Sequence, residues 1–151
     1  MRAVRKKKNM TRRIATAIDI DATADAIWRV LVDFAAYPEW NPFIRRITGE
    51  AKVGAKLEVT AQPVNRKPMT FRPTVCVADP DRELRWLGRV LLPGIFDGEH
   101  AFVIEPRANG CRLRHEETFS GLLVPAFGAM LDDTARSFAD LNAALKRRVE
   151  S

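Results

Sequence analysis

The chain is 151 residues long, 46% hydrophobic and formally +6 at neutral pH. One domain of this size buries a core without disulfide staples, and no apolar run approaches the ~18 residues of a membrane-spanning helix or forms the apolar segment of a secretion signal. Those absences predict a cytoplasmic protein, and Cys76 and Cys111, alone in separate predicted strands without metal or redox spacing, read as two reduced thiols.

The positive charge sits at the start. Arg2, Arg5, Lys6, Lys7, Lys8, Arg12 and Arg13 fall within residues 1–13 with no acid among them, leaving 18 basic against 19 acidic groups in the remainder. A basic tail on a near-neutral domain is not the basic face that sequence-reading nucleic-acid binding requires. Residues 1–13 are therefore expected to be a disordered, solvated extension, with weak, salt-sensitive contact to RNA or an anionic membrane as its other use. Met10 is a second candidate start, and the folded domain is expected over residues 14–151.

Ile14, Ile18 and Ile20 alternate on a first strand, Ile14 to Asp21. Thr23 is the expected N-cap of a helix through Ile27, Val30, Leu31 and Phe34, which Pro38 ends or restarts. The run from Tyr37 to Phe43, with Pro38 and Pro42, reads as an aromatic corner in which Asn41 bonds turn backbone. Strands follow at Ile44 to Gly49, at Leu57, Val59 and Ala61, at Phe71, Pro73, Val75 and Val77, and at Leu84, Trp86 and Gly88; Pro73 implies an edge or a bulge. Leu91, Leu92, Pro93 and Ile95 form an unusually apolar loop, either a cluster capping the sheet end or a lip at a cavity mouth.

Asn109-Gly110 between two alternating runs signals a type I′ hairpin. Pairing Ala108 with Cys111 then sets His100 opposite Phe119, Phe102 opposite Glu117 and Ile104 opposite His115. All these side chains share one face, and Arg112, Arg114 and Glu116 take the other. The final element is a helix from Val124 to Val149, with Phe127, Leu131, Thr134, Phe138, Leu141, Leu145 and Val149 in one stripe and many Ala and Gly residues beside it. At ~1.5 Å per residue it crosses a whole small sheet.

The order strand, two short helices, about six antiparallel strands and a long helix defines an α+β protein. The stretch Ile18-Asp19-Ile20-Asp21-Ala22, then Ile27-Trp28, Leu31 and Asp33 to Pro42, resembles the opening of the SRPBCC superfamily, the START/Bet v 1-like, polyketide cyclase/dehydrase-like group. Leu84-x-Trp86, Phe96-x-Gly98-x-His100-x-Phe102, Glu117-x-Phe119-x-Gly121 and the long last helix are similar to its bacterial members, so the likeness covers residues 14–149. It implies a helix-grip fold: a curved seven-stranded antiparallel sheet wrapped around the C-terminal helix, with a deep apolar cavity between them. It implies no fixed catalytic set, because the members that act as cyclases or dehydratases use pocket polar groups that vary between branches.

A helix lined with Ala and Gly cannot fill the concavity of a bent sheet, which independently predicts an apolar pocket with few polar groups. Expected ligand contacts are Trp86, Leu91, His100, Phe102, His115, Glu117, Phe119, Phe127, Met130, Leu131 and Phe138, although a tryptophan at the position of Trp86 is more often core, with cavity lining as the alternative. His100 and Glu117, diagonal in the derived register, are the candidate acid/base pair, or else structural or ligand-orienting groups. A metal at His100, His115 and Glu117 is excluded by the same register, which separates the histidines by ~13 Å along the sheet. No cofactor is expected. Three functions stay open: a binding protein for a small hydrophobic, lipid-like or polycyclic molecule; a cyclase/dehydratase-type enzyme using His100 and Glu117; and an interaction module docking a partner chain through the lip at Leu91. A homodimer is a separate option with no surface assigned to it.

Overall fold

The computed structural model describes residues 10–90 and 92–151. Strand β1 (Thr11–Ile20) leads to helix α1 (Ala24–Val32), a 3-10 turn at Phe34–Ala36 and the one-turn helix α2 (Tyr37–Trp40). Seven strands follow: β2 (Ile44–Thr48), β3 (Glu58–Ala61), β4 (Met69–Phe71), β5 (Thr74–Asp79), β6 (Glu83–Val90), β7 (Phe96–Arg107) and β8 (Gly110–Ser120). A 3-10 turn at Val124–Phe127 then opens into the long helix α3 (Gly128–Glu150). The regular helix thus begins four residues later than the expected start at Val124. β1 begins at Thr11 rather than Ile14, which brings Arg12 and Arg13 into the strand.

Hydrogen bonding groups the strands as β1-β8-β7-β6-β5 and β2-β3-β4. The two groups join where Pro73 interrupts what would be one strand. β4, on one side of that break, pairs with β3; β5, on the other, pairs with β6. Across the break the Leu57 amide donates to the Pro73 carbonyl and the Val75 amide to the Ala55 carbonyl, both at 2.9 Å. Counting β4 and β5 as one broken strand gives the seven antiparallel strands expected. Proline cannot donate to a ladder, and here the strand changes partner at that residue.

α3 lies along the concave side, burying Leu131, Thr134, Ser137, Phe138, Leu141, Asn142, Ala144 and Leu145. Both ends of the sheet hold it. From β1, Arg12 donates to the Gly128 carbonyl at 2.9 Å, and Lys146 donates back to the Asp19 carbonyl at 2.7 Å. From the β3–β4 loop, the Val64 amide donates to Ser137 Oγ at 2.8 Å and Arg66 pairs with Asp133 at 2.9 Å. This is the helix-grip arrangement.

The short helices close one end. Thr23 caps α1 by accepting from the Ala26 amide at 3.3 Å. Fully buried Tyr37 donates its hydroxyl to the Leu31 carbonyl at 2.6 Å, filling an acceptor left open at the helix end. Asn41 Oδ1 accepts from the amides of Phe43 and Ile44 at 3.0 and 2.8 Å, the role expected of it.

The β7–β8 hairpin departs from the expected register. Arg107 pairs with Gly110, so the turn is Ala108-Asn109, and Gly110 rather than Asn109 carries the positive φ, +120°. A Cβ at Gly110 would run into the Ile20 carbonyl oxygen, so only glycine fits there. Each residue of β7 therefore faces a β8 residue two places earlier than derived. An even slip leaves every side chain on its expected face but changes all the partners.

Candidate functional site

Between the sheet and α3 lies a cavity of about 340 Å³. β6, β7 and β8 supply Trp86, Gly88, Phe96, Gly98, His100, Glu117 and Phe119; β2, β3 and β4 supply Ile44, Val59, Ala61, Met69 and Phe71. Leu123, Phe127, Met130 and Thr134 close the helix side. Met69, Val90, Leu123 and Phe127 line the cavity yet are exposed, and with Arg89 they mark its open side.

The hollow arises on the sheet rather than on the helix. None of the small residues flanking the α3 stripe reaches the cavity; that helix contributes Met130 and Thr134. The space exists because Gly88 and Gly98 face each other in the β6–β7 register on the concave face, where alternation would otherwise place two side chains. An added Cβ at Gly88 would make ordinary contact with Phe71 at 3.4 Å, and one at Gly98 would press on Glu117 Oε1 at 3.0 Å. Gly98 is the seat of the Glu117 carboxylate.

The observed register makes His100 and Glu117 direct partners across β7 and β8, and Phe102 the partner of His115. His100 Nδ1 stands 3.5 Å from Glu117 Oε2, and His100 Nε2 stands 2.8 Å from His115 Nε2. The ~13 Å separation of the histidines expected from sequence was a consequence of the mistaken register, so that argument against a metal falls. Among the described residues, no group of three or more His, Cys, Asp or Glu side chains is placed to hold a metal ion.

The chain of polar groups continues inward. His115 Nδ1 lies 2.8 Å from Asn142 Oδ1, and Asn142 Nδ2 donates to Thr16 Oγ1 at 2.8 Å. The His115 ring is sandwiched between Phe138, 3.9 Å away and nearly parallel, and Phe102 at 4.4 Å. Burial, assisted by the neighbouring His100, holds the His115 pKa well below the usual histidine value. His100 in turn stacks on Trp86 with ring centres 4.7 Å apart.

Of the expected contacts, Trp86, His100, Glu117, Phe119, Phe127 and Met130 line the cavity. Phe102, His115, Leu131 and Phe138 do not; they are almost wholly buried in the layer behind the wall. Leu91 lies outside the described residues. Asn142, Thr16 and the two glycines were missed. Asn142 had a signal, since it falls one turn after Phe138 and next to Leu141 on the inward side of the helix.

A bent sheet gripping a helix over an apolar hollow with an acidic and a basic side chain in its wall defines a helix-grip cavity protein. Residues 11–150 match the family described as polyketide cyclase / dehydrase and lipid transport, and the chain belongs to that family. A search of curated proteins finds no sequence relative. Among solved structures, the Zhui aromatase/cyclase from Streptomyces sp. R1128 superposes with a TM-score of 0.75 at 15% identity, covering 93% of this chain and 94% of that one. A START superfamily protein from Mycobacterium smegmatis gives 0.71 at 21% identity over 91% and 97%. The di-domain aromatase/cyclase StfQ, from the steffimycin biosynthetic pathway, gives 0.68 at 12% identity over 94% of this chain; the present chain spans about half of it, 53%. These likenesses establish the fold. No helix among the described residues is long and apolar enough to cross a membrane.

Proposed function

We propose that this chain holds one small, mainly apolar molecule in the cavity, oriented by Glu117 and His100. The observation that carries the reading is the hollow itself: about 340 Å³ of space walled by aromatic and aliphatic side chains, kept open by a facing pair of glycines. Its size is at the lower end of ordinary ligand pockets. At about 25 cal/mol per Å² of apolar surface removed from water, a two- or three-ring frame gains several kcal/mol there before the cost of immobilising it. Native mass spectrometry of freshly purified protein tests this, and a co-purified small molecule of defined mass is the expected result. Loss of that species after the cavity is filled by mutation would place it in the hollow; retention would place it elsewhere.

A second reading, acid/base catalysis of the cyclase/dehydratase kind, is favoured by the direct opposition of His100 and Glu117 in the cavity wall. A carboxylate and an imidazole 3.5 Å apart can hold or pass one proton next to a bound molecule. His100→Ala separates the readings: turnover of a polyketide-type substrate disappears if the pair is catalytic, whereas a binding protein only changes its ligand preference.

A further inference from the structure

The polar chain behind the cavity wall has a direction, and its inner end sets it. The Thr16 hydroxyl donates to the His115 carbonyl at 2.8 Å, so the Thr16 oxygen is left to accept from Asn142 Nδ2, also at 2.8 Å. This turns Asn142 Oδ1 onto His115 Nδ1, and an acceptor there requires the hydrogen to be on Nδ1. His115 is wholly buried between two aromatic rings, where the neutral form is favoured, so its Nε2 is a lone pair. Only His100 can then supply the hydrogen in the 2.8 Å contact between the two Nε2 atoms. The other ring nitrogen, Nδ1, faces Glu117, and a hydrogen on it would draw the carboxylate oxygen into a charge-assisted hydrogen bond of about 2.7–2.9 Å. The 3.5 Å gap there is longer than a charge-assisted hydrogen bond and fits two opposed acceptors.

We infer that Thr16, Asn142 and His115 are positioning residues that pin His100 as its Nε2–H tautomer, leaving His100 Nδ1 and Glu117 Oε2 as two acceptors in the cavity wall, and that the ligand is one bringing a hydrogen-bond donor to them, a hydroxyl on an apolar frame. The ligand half of this rests on the cavity being a binding site. With the opposite tautomer, His100 would donate to Glu117, the pair would satisfy itself, and a frame without a hydroxyl would fit as well. Asn142, on the far side of the wall from any bound molecule, thereby sets what the cavity accepts.

Two measurements test it. Long-range nitrogen–proton NMR on the unliganded protein at neutral pH should place ring hydrogens on Nδ1 of His115 and on Nε2 alone of His100; a hydrogen on Nε2 of His115 or on Nδ1 of His100 overturns the positioning claim. Equilibrium dialysis should then compare 2-naphthol with 2-methylnaphthalene, which has the same frame and no donor. The wild-type protein should prefer 2-naphthol about tenfold, roughly one net hydrogen bond. Asn142→Leu should reduce that preference to near unity while leaving 2-methylnaphthalene affinity unchanged. Thr16→Val, at a half-buried strand position, should reduce it partway and serves if Asn142→Leu does not fold. An unchanged preference in a folded variant overturns the claim. If neither probe binds wild-type protein, the ligand-site reading fails, while the ring hydrogens, read without ligand, still decide the role of Asn142.

Discussion

Filling the cavity from Gly88 should raise stability and remove binding together. Gly88 has no positive φ, so a β-branched residue is unstrained there, and its Cβ would meet only Phe71 and Pro73 at 3.4 and 3.7 Å. Gly88→Val adds three carbons to space now empty. At about 0.8 kcal/mol per buried carbon the gain approaches ~2.4 kcal/mol, which burial already present in the denatured chain trims to ~1.5–2. Replacing a strand-interior glycine adds roughly 0.5 kcal/mol. For a chain of this size about 2 kcal/mol is a rise in Tm of roughly 4–8 °C. Thermal unfolding by circular dichroism reads the first effect; loss of at least about tenfold in 2-naphthol affinity reads the second. A destabilised Gly88→Val would mean that the space is not there, and wild-type affinity in a stabilised variant would mean that the molecule binds elsewhere.

Gly98→Ala should behave differently, because its Cβ lies 3.0 Å from Glu117 Oε1, the free end of a flexible side chain. Stability should change by less than about 0.5 kcal/mol, while the displaced carboxylate costs the preference for hydroxyl-bearing probes, measured by the same dialysis pair. His115 predicts a pH limb. Its folded pKa is held well below the unfolded value by burial, so the unfolded chain takes up a proton that the folded one refuses. Stability then falls as pH drops below about 6.5, by up to ~1.4 kcal/mol per pH unit, until the folded pKa is reached. Urea titrations between about pH 7.5 and 5 should show this slope, and His115→Gln should flatten it; a slope unaffected by that change would assign it to another group. Tyr37→Phe should cost about 1–2 kcal/mol by leaving the Leu31 carbonyl without its 2.6 Å partner, and urea unfolding would detect a smaller loss as evidence that water replaces the hydroxyl.

Much of the architecture was legible because it follows from short-range patterns. The alternation in β1, β3, β6, β7 and β8, the Thr23 cap and the i, i+3, i+4 stripe of α3 each depend on neighbours within a turn or two. Pro73 was flagged as an irregularity from its missing N–H alone, and it is the place where the strand changes partner. The location of the hollow was not legible. The alanines and glycines of α3 suggested a gap at the helix, but those residues lie beside the stripe. The gap comes from Gly88 and Gly98, which become a feature only when the β6–β7 register sets them face to face.

By itself the chain determined the class of fold and the face on which His100, His115 and Glu117 lie, because side-chain direction in a strand has period two and survives an even slip. Only the tertiary structure decided which of them touch. The turn at Ala108-Asn109, one residue earlier than its motif implied, brings His100 opposite Glu117 and His115 within 2.8 Å of His100. Contact between polar groups depends on register and on what packs behind them, and both are set by residues far away in the chain: Gly110 against Ile20, and Asn142 against Thr16.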